Sequence, residues 1–248
     1  MKPFLSVIIP CYNEEKNLKR GVLDEVEAYL KKQSFESEVI IVDDGSIDNS
    51  RDFVKKYLPN HPRFKLLENK HVGKPLTIRF GVKKANGGII LFTDMDQSTP
   101  INEFDKFLPF FKKGFEVVIG SRGQKRTGYS LIRIIGANVF RLIRQGLLLK
   151  NIIDTQCGFK AFKSEVAKDL FSRLLIFKEV KKTKGWKVGA FDVELLFIAQ
   201  KRGYQIAEAV VNWEDKDLVK KKKYFKESKE MLTEILRVKL NDLRGKYD

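Results

Sequence analysis

Four short apolar runs in the first hundred residues alternate with segments of helical periodicity, and this alternation constrains the fold more than any other feature. We predict helices over residues 14–33, 48–57 and 75–85, separated by strands at Phe4–Ile9, Glu38–Val42, Phe64–Leu67 and Ile89–Thr93. Strands that are apolar along almost their whole length are typical of parallel sheets covered by helices on both faces. The sequence therefore predicts an α/β fold with a mostly parallel sheet.

The second half of the chain continues with less regular spacing. It predicts helices over residues 101–113, 164–174 and 191–201, and strands over residues 116–120, 159–162 and 205–213. Leu131–Leu149 is predicted to form a long basic amphipathic helix, and Phe225–Arg244 a final charged helix.

Three of the first four predicted strands end in turns that carry carboxylates, at residues 10–14, 43–45 and 94–96. In a parallel sheet the carboxyl ends of the strands form one edge, and ligands bind along it. Asp94 and Asp96 are two residues apart, so they can share one hard cation that also takes diphosphate oxygens. The alternative is a capping turn before the next helix. The convergence of three acidic turns favours the metal site.

The net charge of +16 points to a polyanionic neighbour. Nucleic acid, anionic lipid headgroups and phosphorylated substrates all qualify. No Asp or Glu occurs between Val117 and Ile153, where basic residues are interleaved with leucines and isoleucines. This mixture is more typical of a membrane-surface segment than of a nucleic-acid groove. The alternative for Leu131–Leu149 is a helix packed on the core of its own domain.

The cysteines and histidines predict no special chemistry. Cys11 and Cys157 lie in apolar contexts and are expected to be reduced core thiols. His61 and His71 lie in loop-like stretches, and the chain has no pattern of zinc ligands.

Several motifs resemble those of family 2 glycosyltransferases. They are SVIIPCYNEE at residues 6–15, VDDGS at 42–46, TDMD at 93–96 and GSR at 120–122. Later stretches resemble dolichyl-phosphate β-glucosyltransferases and their dolichyl-phosphate mannose synthase relatives, namely DTQCGFK at 154–160, FDVELLFIAQ at 191–200 and AEAVVNW at 207–213. The resemblance extends to about Trp213 and implies the GT-A fold, with a Rossmann-like sheet.

The resemblance also implies a donor site at the three acidic turns. Pro10, Tyr12 and Glu14 would frame the nucleotide, and Val42 and Asp44 would contact its base. Asp94 and Asp96 would hold the metal, Mg²⁺ or Mn²⁺, against the donor diphosphate. Met95, between them, would belong to the nucleotide site. Gln97 is a candidate third ligand, although mannose synthases place their glutamine one position later.

Five further residues are candidates by the same resemblance. Arg122 matches a phosphate-binding arginine, and Arg133 could meet the acceptor phosphate. Lys216 and Lys222 fall near the places that match a late closing loop of the Gly-Glu-Ser-Lys type in relatives, and they are candidates for the nucleotide site, but the glycine of that loop is missing here. Lys74 is a weaker candidate, because Gly73-Lys74-Pro75 replaces the usual Gly-Lys-Gly.

Asp192 would face the sugar or orient the arginines, and a purely structural helix carboxylate is the alternative. The implied layout is a catalytic domain over residues 1–213, with a nucleotide-sugar half at 1–122 and an acceptor half at 123–213. A basic helical appendage would follow at residues 214–248.

The implied reaction is a metal-dependent, inverting transfer of a hexose to dolichyl or polyprenyl phosphate, with UDP-glucose as the favoured donor. The alternatives are a GDP-mannose-dependent synthase and a soluble transferase acting on a glycan. A nucleic-acid-binding module is disfavoured, because three acidic turns would repel phosphates. We expect peripheral attachment at the cytoplasmic face of a membrane, either directly or through a membrane protein partner.

Overall fold

The chain forms a seven-stranded sheet in the computed structural model, which describes residues 2–123, 146–149, 151–175, 191–216 and 224–248. The strands are β1 Leu5–Cys11, β2 Ser37–Asp43, β3 Phe64–Glu68, β4 Ile89–Phe92, β5 Val117–Ser121, β6 Lys160–Lys163 and β7 Ile206–Val210.

The strand order is β3-β2-β1-β4-β6-β5-β7, and only β6 runs antiparallel to its two neighbours. The predicted α/β fold with a mostly parallel sheet is therefore confirmed. Because β1 pairs in parallel with both β2 and β4, the three acidic turns leave the sheet along one edge. The antiparallel β6 brings its first residue, Lys160, to that edge opposite Phe92.

Helices cover both faces of this sheet. They are α1 Glu15–Lys19, α2 Val22–Lys31, α3 Ser50–Tyr57, α4 Lys74–Lys84, α5 Leu108–Lys112, α6 Ser164–Arg173, α7 Phe191–Lys201 and α8 Tyr224–Leu243, with 3₁₀ turns at Leu58–Asn60 and Ile101–Lys106. The predicted final helix is confirmed to within one residue at each end. No helix in the described ranges is long and apolar enough to cross a membrane.

Two predicted helices and one predicted strand were wrong in extent. The helix over residues 14–33 is divided, because Gly21 has a φ of 90° between α1 and α2. The helix over residues 101–113 begins as a 3₁₀ turn, and α5 follows with Pro109 near its start, where the missing N–H costs no helical bond. The strand over residues 205–213 shortens to β7. The predicted helix at 131–149 lies outside the described residues, except for its last four.

The core lies in two layers, one on each side of the sheet. Successive side chains of β1 alternate between them: Ile8 packs towards α4, α6, α7 and α8, and Val7 and Ile9 pack towards α1, α2 and α3. Almost every strand residue of β1, β2 and β4 is buried on its own face. This two-sided cover fixes the strand ends that carry the acidic turns.

A small polar network joins the amino-terminal ends of β1 and β2 to the turn before β4. The Ser6 hydroxyl donates to Glu38 Oε1 at 2.7 Å and accepts from the Gly87 N–H at 2.7 Å. Gly87 is buried, and a Cβ built on it would lie 2.5 Å from the Ser6 nitrogen and 2.8 Å from the Leu5 carbonyl carbon. Backbone atoms cannot move aside as a side chain can, so this position requires glycine.

We predict that Gly87→Ala lowers the free energy of unfolding by about 1–3 kcal/mol through overpacking. Gly88→Ala is the matched control, because Gly88 is exposed and its Cβ would meet only the Phe4 carbonyl oxygen at 3.6 Å. It should change stability by less than about 1 kcal/mol. Urea denaturation of the two variants checks this, and equal losses would contradict the packing argument.

Candidate functional site

The first two acidic turns are joined by hydrogen bonds at the carboxyl edge of the sheet. The Asn13 N–H donates to Ser46 Oγ at 3.0 Å, and Asn13 Oδ1 accepts from the Ile47 N–H at 2.9 Å. The Glu14 N–H donates to Ser50 Oγ at 2.7 Å. Asn13 has a φ of 57°, a left-handed conformation that its short amide side chain tolerates. These bonds hold the loops after β1 and β2 as one surface.

Asp44 anchors the loop that leads into α4. Its carboxylate is fully buried and accepts from the Val72 and Gly73 N–H groups, each at 2.9 Å. His71 Nδ1 lies 2.8 Å from the same carboxylate. Gly73 has a φ of 92°, which favours glycine, and α4 starts at the next residue, Lys74. Asp44 therefore determines where the Lys74 side chain enters the site.

Tyr12 and His71 form a stacked aromatic pair beside this loop. Their ring centroids are 4.2 Å apart and their planes differ by 17°. Both side chains are only partly buried. The pair presents a flat, partly polar surface next to Asp44, which is the type of surface on which a nucleotide base stacks.

The third turn, Asp94-Met95-Asp96, follows β4 and is held by hydrogen bonds between side chains and backbone. Asp96 Oδ1 accepts from the Ser98 N–H at 2.9 Å, and the Asp96 carbonyl accepts from Arg20 at 2.6 Å. Gln97 has a φ of 47°, and its side-chain amide donates to the Asp94 carbonyl at 2.9 Å. Met95 is buried in the core, so the two aspartates and not the methionine face the site.

Charges of opposite sign alternate through the site. Lys74 forms an ion pair with Asp94. Burial lowers the pKa of Lys74, but the carboxylates of Asp94, Asp192 and Asp96 outweigh it and raise the pKa above its usual value. Burial and repulsion by Asp94 raise the pKa of Asp96. Excess negative charge on one turn therefore draws in a cation, and Lys74 supplies one.

Asp192, at the start of α7, is paired with a lysine from β6. Lys160 is fully buried, and its Nζ lies 2.6 Å from Asp192 Oδ1. The same Nζ donates to the Cys157 carbonyl and lies 5.5 Å from the centre of the Phe92 ring. Burial nevertheless raises the pKa of Asp192, although Lys160 and Lys74 oppose the shift.

The third turn fits a hard divalent cation. No group of three or more His, Cys, Asp or Glu side chains suited to a metal occurs within the residues that the structure describes. Asp94 and Asp96 would therefore supply two oxygens, and a ligand would supply others. Gln97 Oε1 is buried without a hydrogen-bond partner, so an amide oxygen is also unsatisfied at this turn. Gly158 lies directly against the Asp94 carboxylate, where a Cβ would leave that carboxylate no room.

Arg122, at the end of β5, is engaged by an acidic partner. Its Nε and a terminal nitrogen donate to the two carboxylate oxygens of Asp154 at 2.7 and 2.8 Å. This pairing outweighs burial and holds the pKa of Asp154 well below its usual range. The guanidinium also lies 5.4 Å from the centre of the Trp213 ring. Much of the Arg122 charge is already matched, so its predicted phosphate contact stays a prediction.

Five other residues were predicted from the sequence to lie at the site. Pro10 and Val42 are buried within the sheet, and Val42 belongs to the core beneath α4, so we assign neither side chain a ligand contact. The Lys216 N–H donates to Ser98 Oγ at 3.2 Å, which brings the chain after β7 beside the third turn. Arg133 and Lys222 lie outside the described residues.

Three residues of this site were not predicted from the sequence. Lys160 and Asp154 lie in the DTQCGFK stretch, which signalled the resemblance without assigning roles to single residues. His71 was interpreted as an ordinary loop residue. A histidine two positions before a Gly-Lys pair, downstream of two consecutive aspartates, is a weak signal, and only the fold brings it to Asp44.

Comparison with known sequences places the chain among transferases of sugars. The model of the family described as Glycosyl transferase family 2 matches residues 6–171. The "Dolichyl-phosphate beta-glucosyltransferase" of Dictyostelium discoideum is 34% identical and covers 98% of this chain and 76% of its own length. The protein of the same name from Homo sapiens is 35% identical over 84% of this chain. The chain spans 67% of that human relative.

Solved structures of low sequence identity share the fold. The mannosyltransferase PcManGT from Pyrobaculum calidifontis, in complex with GDP-Man and Mn²⁺, has a TM-score of 0.60 at 20% identity and matches 96% of this chain and 65% of its own. Mannosyl-3-phosphoglycerate synthase from Rubrobacter xylanophilus has a TM-score of 0.63 at 15% identity, over 98% of this chain and 74% of its own. The predicted GT-A fold is thereby confirmed.

The Lys160–Asp192 pair generates a stability prediction. Lys160→Met should lower the free energy of unfolding by about 3–5 kcal/mol, because it leaves a buried carboxylate without its cation. The double variant Lys160→Met/Asp192→Asn should recover part of this loss, with a coupling energy of about 2 kcal/mol. A double-mutant cycle in urea measures the coupling. Additive losses would mean that the two charges do not depend on each other.

Proposed function

Because the chain belongs to glycosyl transferase family 2, we propose that it transfers a hexose from a nucleotide-sugar to dolichyl or another polyprenyl phosphate. UDP-glucose is our favoured donor, and the transfer inverts the anomeric carbon. Membership of the family makes the chain a glycosyltransferase. The donor, the acceptor and the stereochemistry belong to the proposal.

The observation that carries the proposal is the alternating charge cluster at the carboxyl edge of the sheet. Asp94 and Asp96 are set against Lys74 there, and Asp192 against Lys160. Such a cluster suits a donor in which a charged diphosphate is joined directly to a neutral sugar. The names of the relatives add the lipid phosphate acceptor, since they are 34–35% identical over most of the chain.

On the donor side, the stacked pair of Tyr12 and His71 would carry the base, with Asp44 at its edge. Glu14 would line the same surface. A divalent cation held by Asp94, Asp96 and the Gln97 amide oxygen would supply positive charge for the diphosphate. Lys74 already pairs with Asp94 at that turn, and Lys216, whose backbone N–H bonds to Ser98 beside the turn, would add further basic charge.

On the acceptor side, the nucleophile would be an oxygen of the lipid phosphate. It is already anionic at neutral pH, so the reaction requires no general base. A bond forms between this oxygen and the anomeric carbon, the bond from that carbon to the donor phosphate breaks, and the nucleoside diphosphate leaves with the electron pair. Attack opposite the leaving group gives inversion, so an α-linked donor yields a β-linked lipid.

The residues of this chain would mainly position the two substrates. Asp192, oriented by Lys160, would accept hydrogen bonds from sugar hydroxyls. The Arg122–Asp154 pair would support the acceptor end of the site, and Arg133 is proposed to meet the acceptor phosphate. We place the reaction at the cytoplasmic face of a membrane, with the protein attached peripherally, since the net charge of +16 suits anionic headgroups.

Radiolabelled transfer tests the proposal. Purified protein with UDP-glucose, Mn²⁺ and dolichyl phosphate in detergent should produce label that extracts into organic solvent. EDTA should abolish it, and Asp96→Ala should reduce it at least about 100-fold by removing a metal ligand. GDP-mannose in a parallel reaction identifies the donor.

Asp52→Ala is the matched control for that assay, because Asp52 is an exposed carboxylate on α3. It should transfer sugar at the rate of the unchanged protein. Absence of lipid label from both donors, with Mn²⁺-dependent donor hydrolysis retained, would overturn the lipid acceptor but not the donor site.

The ion pair between Lys74 and Asp94 predicts competition with the metal. In the absence of donor, Lys74→Met should bind Mn²⁺ more tightly, by about tenfold, because the Asp94 carboxylate no longer has a resident cation. Calorimetric titration of Mn²⁺ measures the change. Lys83→Met, which removes an exposed lysine from the same helix, should leave the affinity unaltered. Weaker Mn²⁺ binding by Lys74→Met would show that the lysine organises the turn instead of competing for it.

A further inference from the structure

Helix α8 has an apolar face on each side. Ile235 and Val238 are fully buried in the core layer that they share with α7. On the opposite side, a row of leucines is exposed by 36, 53, 46 and 72%, and we name these residues the leucine face: Leu232, Leu236, Leu240 and Leu243. Their spacing of four, four and three residues places them along one side of the helix.

Polar contacts also hold α8, and the residues that follow its end at Leu243, to the rest of the fold. The Tyr247 hydroxyl donates to Glu194 Oε1 at 2.7 Å, and its ring lies 5.7 Å from that of Phe197. Lys201 Nζ lies 2.7 Å from Asp242 and 2.6 Å from Asp248. Because α8 is held at these points, the leucine face points away from α7 and the core. The helix cannot rotate to bury these leucines.

The charges around the leucine face are basic. Arg237 and Arg244 are three residues before and four residues after Leu240, so they flank one edge of the row, and both are exposed. Lys239 flanks the other edge, between Leu236 and Leu243. Asp248 pairs with Lys201 on the inner side, and Asp242 pairs with both Lys201 and Lys239, so the charge of Lys239 is partly matched. Leucines bordered by basic residues match an anionic bilayer surface, with apolar chains below charged headgroups.

We propose that the leucine face docks α8 in the plane of an anionic membrane. The helix is 20 residues long, or about 30 Å, so it would lie along the surface with its leucines in the headgroup boundary. This docking surface goes beyond the proposed function and rests on it in one respect: a lipid acceptor would require the protein to work at a bilayer.

A second copy of this chain is the competing occupant. Pairing of two leucine faces would bring Arg237 and Arg244 of both copies to the edges of one seam. Like charges across such a seam repel, whereas anionic lipid neutralises them. The charge pattern therefore favours the membrane.

Flotation of the full chain with vesicles tests the proposal. Wild-type protein should float with vesicles of phosphatidylcholine and phosphatidylglycerol, and much less with phosphatidylcholine alone. Leu236→Ser/Leu240→Ser should weaken binding to the mixed vesicles by about tenfold per leucine replaced. Arg244→Gln should weaken it about fivefold, and high salt should remove that difference.

Val210→Ser is the matched control, since it also exchanges an exposed aliphatic residue for serine, 67% exposed at the end of β7. It should float like the wild type. Equal flotation of the leucine variant and the wild type would overturn the proposal. So would a wild-type dimer in light scattering that Leu236→Ser/Leu240→Ser converts to a monomer without altered flotation.

The sugar-transfer assay in detergent separates this proposal from the proposed function. The leucine variant should transfer sugar to detergent-dispersed dolichyl phosphate at the wild-type rate, because its site is intact. If no variant, nor the wild type, labels lipid but flotation follows the expected pattern, the proposed acceptor fails and the docking surface stands. If transfer proceeds and flotation does not depend on the leucines, the docking surface fails alone.

Discussion

Buried charge of alternating sign underlies the arrangement of this site. Asp44, Asp192, Lys74 and Lys160 are buried near the carboxyl edge of the sheet, and Asp94 and Asp96 are partly buried beside them. An unpaired charge that is fully buried would cost several kcal/mol. Two ion pairs between different elements offset this cost: Lys74 from α4 reaches Asp94 in the turn after β4, and Lys160 from β6 reaches Asp192 at the start of α7. Asp44 takes part indirectly, since its bonds to residues 71–73 direct Lys74. The fold is therefore constrained by charge pairing as well as by its apolar layers.

The parts that the sequence could predict are those encoded by local periodicity. Apolar runs followed by acidic turns placed β1, β2 and β4, aligned their ends and singled out the pair Asp94 and Asp96, and the resemblance supplied the GT-A fold. The limits of the prediction are also local. Gly21 divides a pattern that is periodic across it, because backbone conformation at one glycine outweighs the leucine and valine spacing on either side.

The parts that could not be predicted depend on contacts between residues far apart in the chain. Lys160 is 32 residues from Asp192 and reaches it only because β6 runs antiparallel between β4 and β5. Arg122 and Asp154 are likewise 32 residues apart. A lysine or arginine in a motif carries no sign of whether it will face a ligand or a buried carboxylate. For Arg122, the resemblance indicated a phosphate, and the packing supplied Asp154.

The reversal of β6 has a consequence for how such a protein can diversify. Since β5 ends and β6 begins at the same edge, the connection from Ser121 to Lys160 leaves and re-enters the sheet at one place. The returning part of this connection is tied to the sheet, because Leu149 and Phe159 are buried in the core and Gly158 lies against the Asp94 carboxylate. An insertion before Leu149 would leave the register of every strand unchanged, whereas one between Leu149 and Phe159 would displace residues that pack against the site. Relatives with this fold can therefore differ in the length of the connection only on its outgoing side.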